Sequence, residues 1–171
     1  MSTDQTLVAQ PPQAFAESEI QDFMAMVQAG GEVRNASLEE NVRNAECLVV
    51  VRQGSCLVGV AALKNPKASY RQTINEKAKA AVDAQEFPFE LGYIFVLPSA
   101  RRQGLAVKLC HAALAPADGK GVFATARTNN DGMSAILLQF GFLKTGRHYS
   151  SALHSRQLQL FVRPAAQPSV A

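Results

Sequence analysis

The segment Glu90-Leu-Gly-Tyr-Ile-Phe-Val-Leu-Pro-Ser-Ala-Arg101-Arg102-Gln103-Gly104-Leu105-Ala106 holds the residue types best able to do chemistry. It reads as a strand, a short turn containing Pro98, and a helix entered through arginine and glycine. Unpaired backbone N–H groups at a helix N-terminus attract anions, and the helix dipole adds to the attraction. Gly104 puts no side chain where a phosphate would approach the backbone, and Ala106 keeps the same surface open. Arg101 and Arg102 add positive charge there. These are the parts of a pyrophosphate cradle. The segment is not a Walker loop, because no Gly-Lys-Ser/Thr follows, and it lacks the GxGxxG of a dinucleotide fold. Glu90 heads the strand. A carboxylate there could take the proton that an ammonium must lose before its lone pair attacks, or it could be a strand-edge glutamate that is merely solvated or paired with an arginine.

Other reactive residues argue for less. Cys47, Cys56 and Cys110 are odd in number, without CxxC spacing, and sit in apolar runs, so they read as buried, reduced thiols. His111, His148 and His154 are scattered without ligand spacing, so no metal site is expected.

These residues must be positioned by the elements around them. A short strand over 6–9 is ended by Pro11-Pro12, and a helix over 14–29 carries Ile20, Phe23, Met24 and Val27 on one face. Ser37 and Glu40 form a capping-box pattern opening a second short helix. Two β-rich runs, 47–52 and 56–64, flank the turn Gln53-Gly54-Ser55. Residues 67–82 form a basic helical insertion with Tyr70, Ile74 and Ala78 on one face. A strand over 89–97, a helix over 101–115, a strand over 122–127 and a helix over 131–140 follow, the last with Met133, Ile136, Leu137 and Phe140 as its apolar stripe. Strands over 142–149 and 157–163 close the chain. The hairpin implies antiparallel pairing and the strand–helix–strand runs imply parallel crossovers. The expected fold is therefore α/β (α+β), a central mixed twisted sheet of six to seven strands with helices on both faces. The expected organisation is a single domain over 6–163, with flexible tails at 1–5 and 164–171.

At 171 residues, 47% hydrophobic and 18% charged, the chain is long enough for a full core without staples. No apolar run approaches the ~18 residues of a membrane span, and the N-terminus lacks the basic and apolar regions of a signal peptide. The cytoplasm is the expected compartment. The net charge of +3 is modest, but its distribution is uneven: residues 1–46 carry −6 and residues 101–171 carry +7. The C-terminal part suits an anionic partner and the N-terminal part a cation.

The run Arg101-Arg102-Gln103-Gly104-Leu105-Ala106 resembles the (Arg/Gln)-x-x-Gly-x-(Gly/Ala) signature of the GNAT N-acetyltransferase superfamily. Val96-Leu97-Pro98 resembles the end of that family's fourth strand, and Asn130, Ile136-Leu137 and Gly141-Phe142 resemble its Asn…Leu-Tyr…Gly-Phe block. The resemblance covers roughly residues 6–163. It implies a GNAT-like fold and acetyl-CoA as acyl donor, with no metal. It implies that backbone amides from Arg102 through Gln103, Gly104 and Leu105 to Ala106, beside Arg101, hold the pyrophosphate. Phe95, Val96 and Leu97 would pair through their backbone with the pantetheine, and an amide of that strand would polarise the thioester carbonyl. Asn130 would hydrogen-bond the pantetheine arm, although a helix N-cap explains it equally and the two roles can coexist. Glu90 would act as general base, directly or through water.

The family's usual tyrosine, which protonates the leaving thiolate, is replaced by Leu137. Tyr149 is the best substitute as catalytic acid, against the competing readings that Tyr149 is structural, that water supplies the proton, or that the activity is weak. Tyr93 lies an odd number of residues from Glu90 and faces the other side of a regular strand, unless a bulge intervenes. The implied activity is transfer of an acetyl group to a primary amine of a small-molecule or peptide substrate by direct attack in a ternary complex. The alternatives are a macromolecular acceptor (a protein N-terminus, a lysine or an aminoacyl-tRNA) and a CoA-binding regulator without catalysis. A membrane partner is not expected and nucleic acid is disfavoured, since no basic patch is interleaved with aromatics. A homodimer is left open.

Overall fold

The computed structural model describes residues 4–31, 35–151 and 156–167. Its strands are β1 (Gln5–Gln10), β2 (Cys47–Gln53), β3 (Cys56–Lys64), β4 (Phe89–Val96), β5 (Val122–Arg127), β6 (Leu143–Ser150) and β7 (Gln157–Arg163). Its helices are α1 (Glu17–Ala29), α2 (Leu38–Arg43), α3 (Ala68–Ala78), α4 (Leu105–Leu114) and α5 (Asp131–Gln139), with short 3-10 turns between some of them. The seven strands form a mixed sheet in the order β1-β2-β3-β4-β5-β7-β6. The β1–β2, β2–β3, β5–β7 and β6–β7 pairs are antiparallel, and β4–β5 is parallel.

The chain divides into two compact units, Met1–Asn65 with Leu91–Pro116 and Pro66–Glu90 with Ala117–Ala171. In the first, the Gln53-Gly54-Ser55 turn closes the β2–β3 hairpin, with a register shift between Val51 and Arg52. Cys47 to Val51 are buried without a break, as a strand covered on both faces requires. One cluster joins Ile20, Phe23, Met24 and Val27 of α1, Leu38 and Val42 of α2, and Leu48, Val50, Val60 and Ala62 of the hairpin. The α1 stripe is thus the one the spacing predicts. α4 packs on β2 and β3, burying Leu109, Cys110 and Ala113. Arg43 of α2 reaches Glu17 of α1 at 2.5 Å and Glu39 at 2.9 Å, on the exposed surface.

In the second unit, Ile74, Ala78, Val82, Phe87, Phe123, Tyr149 and Leu160 form the apolar cluster. Only Phe89 and Glu90 of β4 belong here, paired with Val122 and Phe123. β6 shifts register against β7 between Thr145 and Tyr149. Gly146 lies in that irregularity with φ +68°, and a Cβ on it would collide with the carbonyl oxygen of Ala78. The end of α3 and β6 approach each other too closely there for any side chain.

Several sequence expectations differ from the structure. Ser37 precedes α2 but makes no capping bond to it; its hydroxyl accepts from Asn41 instead. The glutamate half of a capping box occurs at α1, where Glu19 accepts from the Ala16 amide at 2.8 Å. Cys56 is exposed, unlike Cys47 and Cys110, because it starts β3 beside the turn. On α5 only Leu137 is fully buried. Of the expected tails, Gln5 belongs to β1 and the Ala166 amide donates to Gly119 at 2.8 Å, while residues 1–3, 168–171 and His154 lie outside the described residues.

Candidate active site

In the first unit, β4 ends at Val96, a 3-10 turn spans Pro98–Ala100, and α4 begins at Leu105. The connection is steered by two residues in the left-handed region, Arg102 at φ +62° and Gly104 at φ +73°. Backbone of this kind forms concave amide nests that accept anions. Gly104 is the N-cap of α4, so the first-turn amides behind it have no intrahelical acceptor. A Cβ placed on Gly104 would meet nothing within 4 Å. The space in front of this backbone is open, as a phosphate cradle needs. Leu105 is buried and anchors the helix start, while Arg101, Arg102, Gln103 and Gly104 are exposed and Ala106 is half-buried.

Arg101 is not a free-swinging charge. Its Nε donates to the Val96 carbonyl at 3.0 Å and its guanidinium lies 5.8 Å from the Phe95 ring centroid. Gln103 accepts from Gln53 at 2.7 Å, and Lys108 donates to Gln5 at 2.8 Å, tying α4 to β1 and the hairpin turn.

The backbone of β4 is more selective than its sequence suggests. The Leu97 amide donates to Val58 of β3 at 2.9 Å. Successive residues of a strand present their N–H and C=O groups to opposite edges, so Phe95 and Leu97 address β3 and Val96 addresses the other edge. Of the three residues expected to pair with a ligand strand, Val96 is the one whose backbone points away from β3. Upstream, Tyr93 has φ +55°, a conformation rare for a bulky residue. Its ring meets Phe23 edge-on with centroids 6.4 Å apart, and Lys64 Nζ lies 4.4 Å above it. The alternation counted from Glu90 is interrupted at this residue.

In the second unit, Glu90 is only 3% exposed. Tyr70 of α3 donates its hydroxyl to Glu90 Oε1 at 3.3 Å. Neighbouring Arg71 is 8% exposed; it donates to the Phe87 carbonyl at 2.7 Å and lies 5.3 Å from the Phe123 ring centroid. Burial pulls its guanidinium below the ordinary range, with Glu90 and Asp83 opposing the shift. Tyr149 of β6 is buried in the apolar cluster. Burial pushes its hydroxyl above the ordinary phenol range, and the charge of Glu90 adds to the shift. Asn130 caps α5, its Oδ1 accepting from the Met133 amide at 3.0 Å. Leu137, which the resemblance places where a proton-donating tyrosine is expected, is buried and has no proton to give.

Sequence reasoning thus named Glu90 and Tyr149, which share the second unit, and the Phe95–Ala106 stretch, which lies in the first. It missed the contact of Tyr70 with Glu90 and the burial of Arg71. Tyr70 was visible as the first residue of the insertion's apolar stripe. Arg71 read as one of several surface cations, and nothing in its spacing marked it as buried. Among the described residues no group of His, Cys, Asp and Glu could hold a metal ion, and no helix is long and apolar enough to cross a membrane.

Residues 13–142 match the profile of the Acetyltransferase (GNAT) family. No curated protein sequence matches the chain. Solved structures share its fold at low identity. Escherichia coli ElaA is 12% identical with a TM-score of 0.69, over 94% of this chain and 99% of that one. Arabidopsis thaliana NAA60 in complex with acetyl-CoA is 15% identical with a TM-score of 0.67, over 93% and 99%. The ribosomal-protein-S18-alanine N-acetyltransferase of Escherichia coli is 14% identical with a TM-score of 0.62, over 98% and 97%.

Proposed function

The chain belongs to the GNAT acetyltransferase family, and from that premise we propose that it transfers an acetyl group from acetyl-CoA to a primary amine of a small or peptide acceptor. The observation that carries the reading is the entry to α4, two left-handed residues delivering open, amide-lined backbone at Gly104. The residues fit the donor: the Arg102–Ala106 amides would hold its pyrophosphate and the Val96 backbone its pantetheine arm; a bond from Asn130 is what the family resemblance adds. Acetyl-CoA supplies the acetyl group as a thioester.

Glu90 is the proposed general base. It takes the proton that the ammonium must lose, directly or through one water, and its negative charge attracts the cation. The Val96 amide is the proposed donor to the carbonyl oxygen as negative charge develops there. Tyr149 is the proposed proton source for the thiolate. Solvent is the alternative proton source, since burial raises the Tyr149 hydroxyl above the ordinary phenol range. The acidic stretch 1–46, which includes α1 and α2, favours a cationic acceptor.

The test is CoA release from acetyl-CoA with a panel of spermidine, L-lysine methyl ester and an alanine-initiated peptide. Glu90→Gln keeps the shape and removes the base, so turnover falls by about 10²–10⁴. The loss shrinks at high pH, where free amine is abundant. Parental turnover by Glu90→Gln across pH 6–9 removes Glu90 from the mechanism.

A further inference from the structure

α3 is clamped along most of its length. Ile74 and Ala78 enter the apolar cluster, and Asn75 holds both the amide and the carbonyl of Val82, at 2.8 and 3.1 Å. Arg71 is tied to the Phe87 carbonyl. Arg147 of β6 donates to the Lys77 carbonyl at 3.1 Å, and Ala78 abuts Gly146. This clamped helix carries Tyr70 in its first turn. The Tyr70 residue is 38% exposed, yet its hydroxyl is committed to Glu90 Oε1. A tyrosine placed for packing alone would bury its ring. This residue stays more than a third exposed and spends its hydroxyl on a buried carboxylate. The last torsion of a glutamate is broad and roughly two-fold, so a strand position alone does not say which way the carboxylate faces. A fixed donor on one oxygen does.

We propose that Tyr70 is a positioning residue: α3 holds its hydroxyl against Glu90 Oε1 and so fixes the carboxylate that receives the acceptor's proton. The inference rests on the acetyltransferase reading of Glu90. It gives the insertion a function, as the element that delivers the donor for the base.

The experiment compares the full-length parent with Tyr70→Phe, Glu90→Gln and the double variant, using acetyl-CoA and the three-amine panel. Ile74→Val, which trims the packing of α3 but keeps the hydroxyl, is the structural control. Tyr70→Phe is expected to lower kcat about tenfold, as loss of a hydrogen bond to a charged group allows, with KM for acetyl-CoA unchanged and the melting temperature lowered by a few degrees because a buried carboxylate loses a partner. In the Glu90→Gln background the same change has no further effect, because Tyr70 acts through that carboxylate. Ile74→Val lowers the melting temperature and leaves kcat unchanged. Independently of turnover, the ¹³C carboxyl resonance of Glu90 moves in Tyr70→Phe and stays in Ile74→Val. Parental kcat in Tyr70→Phe, an unmoved resonance, or a full tenfold loss persisting in the double variant overturns the positioning role alone. A parent that acetylates none of the three amines overturns the acetyltransferase reading and this role with it.

Discussion

Gly104→Asp separates folding from ligand binding at the cradle. Gly104 sits at φ +73° and a Cβ there meets no atom within 4 Å, so the substitution clashes with nothing. Its cost to the fold is the left-handed conformation alone, about 1 kcal/mol for aspartate, one of the residues that enters this region most readily. Unfolding entropy of about 2.1 cal/mol/K per residue over 171 residues means that 1 kcal/mol moves Tm by about 3 °C. The unliganded variant therefore melts about 3 °C below the parent. CoA at 100 times its dissociation constant adds about 2.7 kcal/mol to the parent, raising its Tm by about 7 °C. The variant loses that rise, because a carboxylate now stands where the pyrophosphate would lie against the backbone. Thermal melts with and without millimolar CoA read both quantities in one series. A parent whose melt ignores CoA, or a Gly104→Asp protein that keeps the full 7 °C rise, refutes the assignment of this backbone to the phosphates.

Gly146→Ala adds a Cβ against the Ala78 carbonyl at φ +68°; strain and overpacking together destabilise by about 2–5 kcal/mol, and a urea midpoint equal to the parent's would show that β6 and α3 do not meet as described. The Glu17 carboxyl is held down at about 2, chiefly by hydrogen bonds from Arg43 and Gln21. Its stabilising contribution is therefore present above its ordinary value of 4.5 and is lost as pH falls from there through about 2. The pair is exposed, so the slope of stability with pH in that window is shallow, and Glu17→Gln removes it; an identical slope in both proteins counts against the pair.

Most of the element order was legible because α1 and the β2–β3 hairpin advertise themselves by periodicity and turn residues, whereas α3, polar and basic, was the least clear helix. Ile20, Phe23, Met24 and Val27 are buried together, as a 3.6-residue repeat demands. The strand-to-helix turn was legible too, since Pro98 closes the strand and Gly104 stands just ahead of the apolar stripe of α4. What escaped depended on partners and positions that residue type alone does not announce. Ser37 has capping chemistry, but its hydroxyl is engaged by Asn41. Cys56 has the polarity of a core residue and the position of a turn flank. Arg71 is buried because Phe87 and Phe123 happen to receive it, and neither is near it in sequence. The backbone preference of Val96 over Leu97 is set by β3, which no local pattern around residue 96 reports.

The two units are interleaved along the chain, each assembled from two stretches separated by a piece of the other. Synthesis runs from the N-terminus, so the first unit has all of its residues once Pro116 has emerged. Residues 66–90 then still wait for β5, β6 and β7. At 5–20 residues per second, the stretch from Ala117 to Arg163 takes about 2 to 10 s to appear. Through that interval Arg71 and Glu90 remain in water as ordinary surface charges, and Ile74 and Phe87 have no partners on β5 or β7. The loop must later close over long sequence separations, which slows folding. The segment bearing the proposed base is therefore open to proteases and chaperones in the nascent chain, although Glu90 itself is 3% exposed in the finished protein.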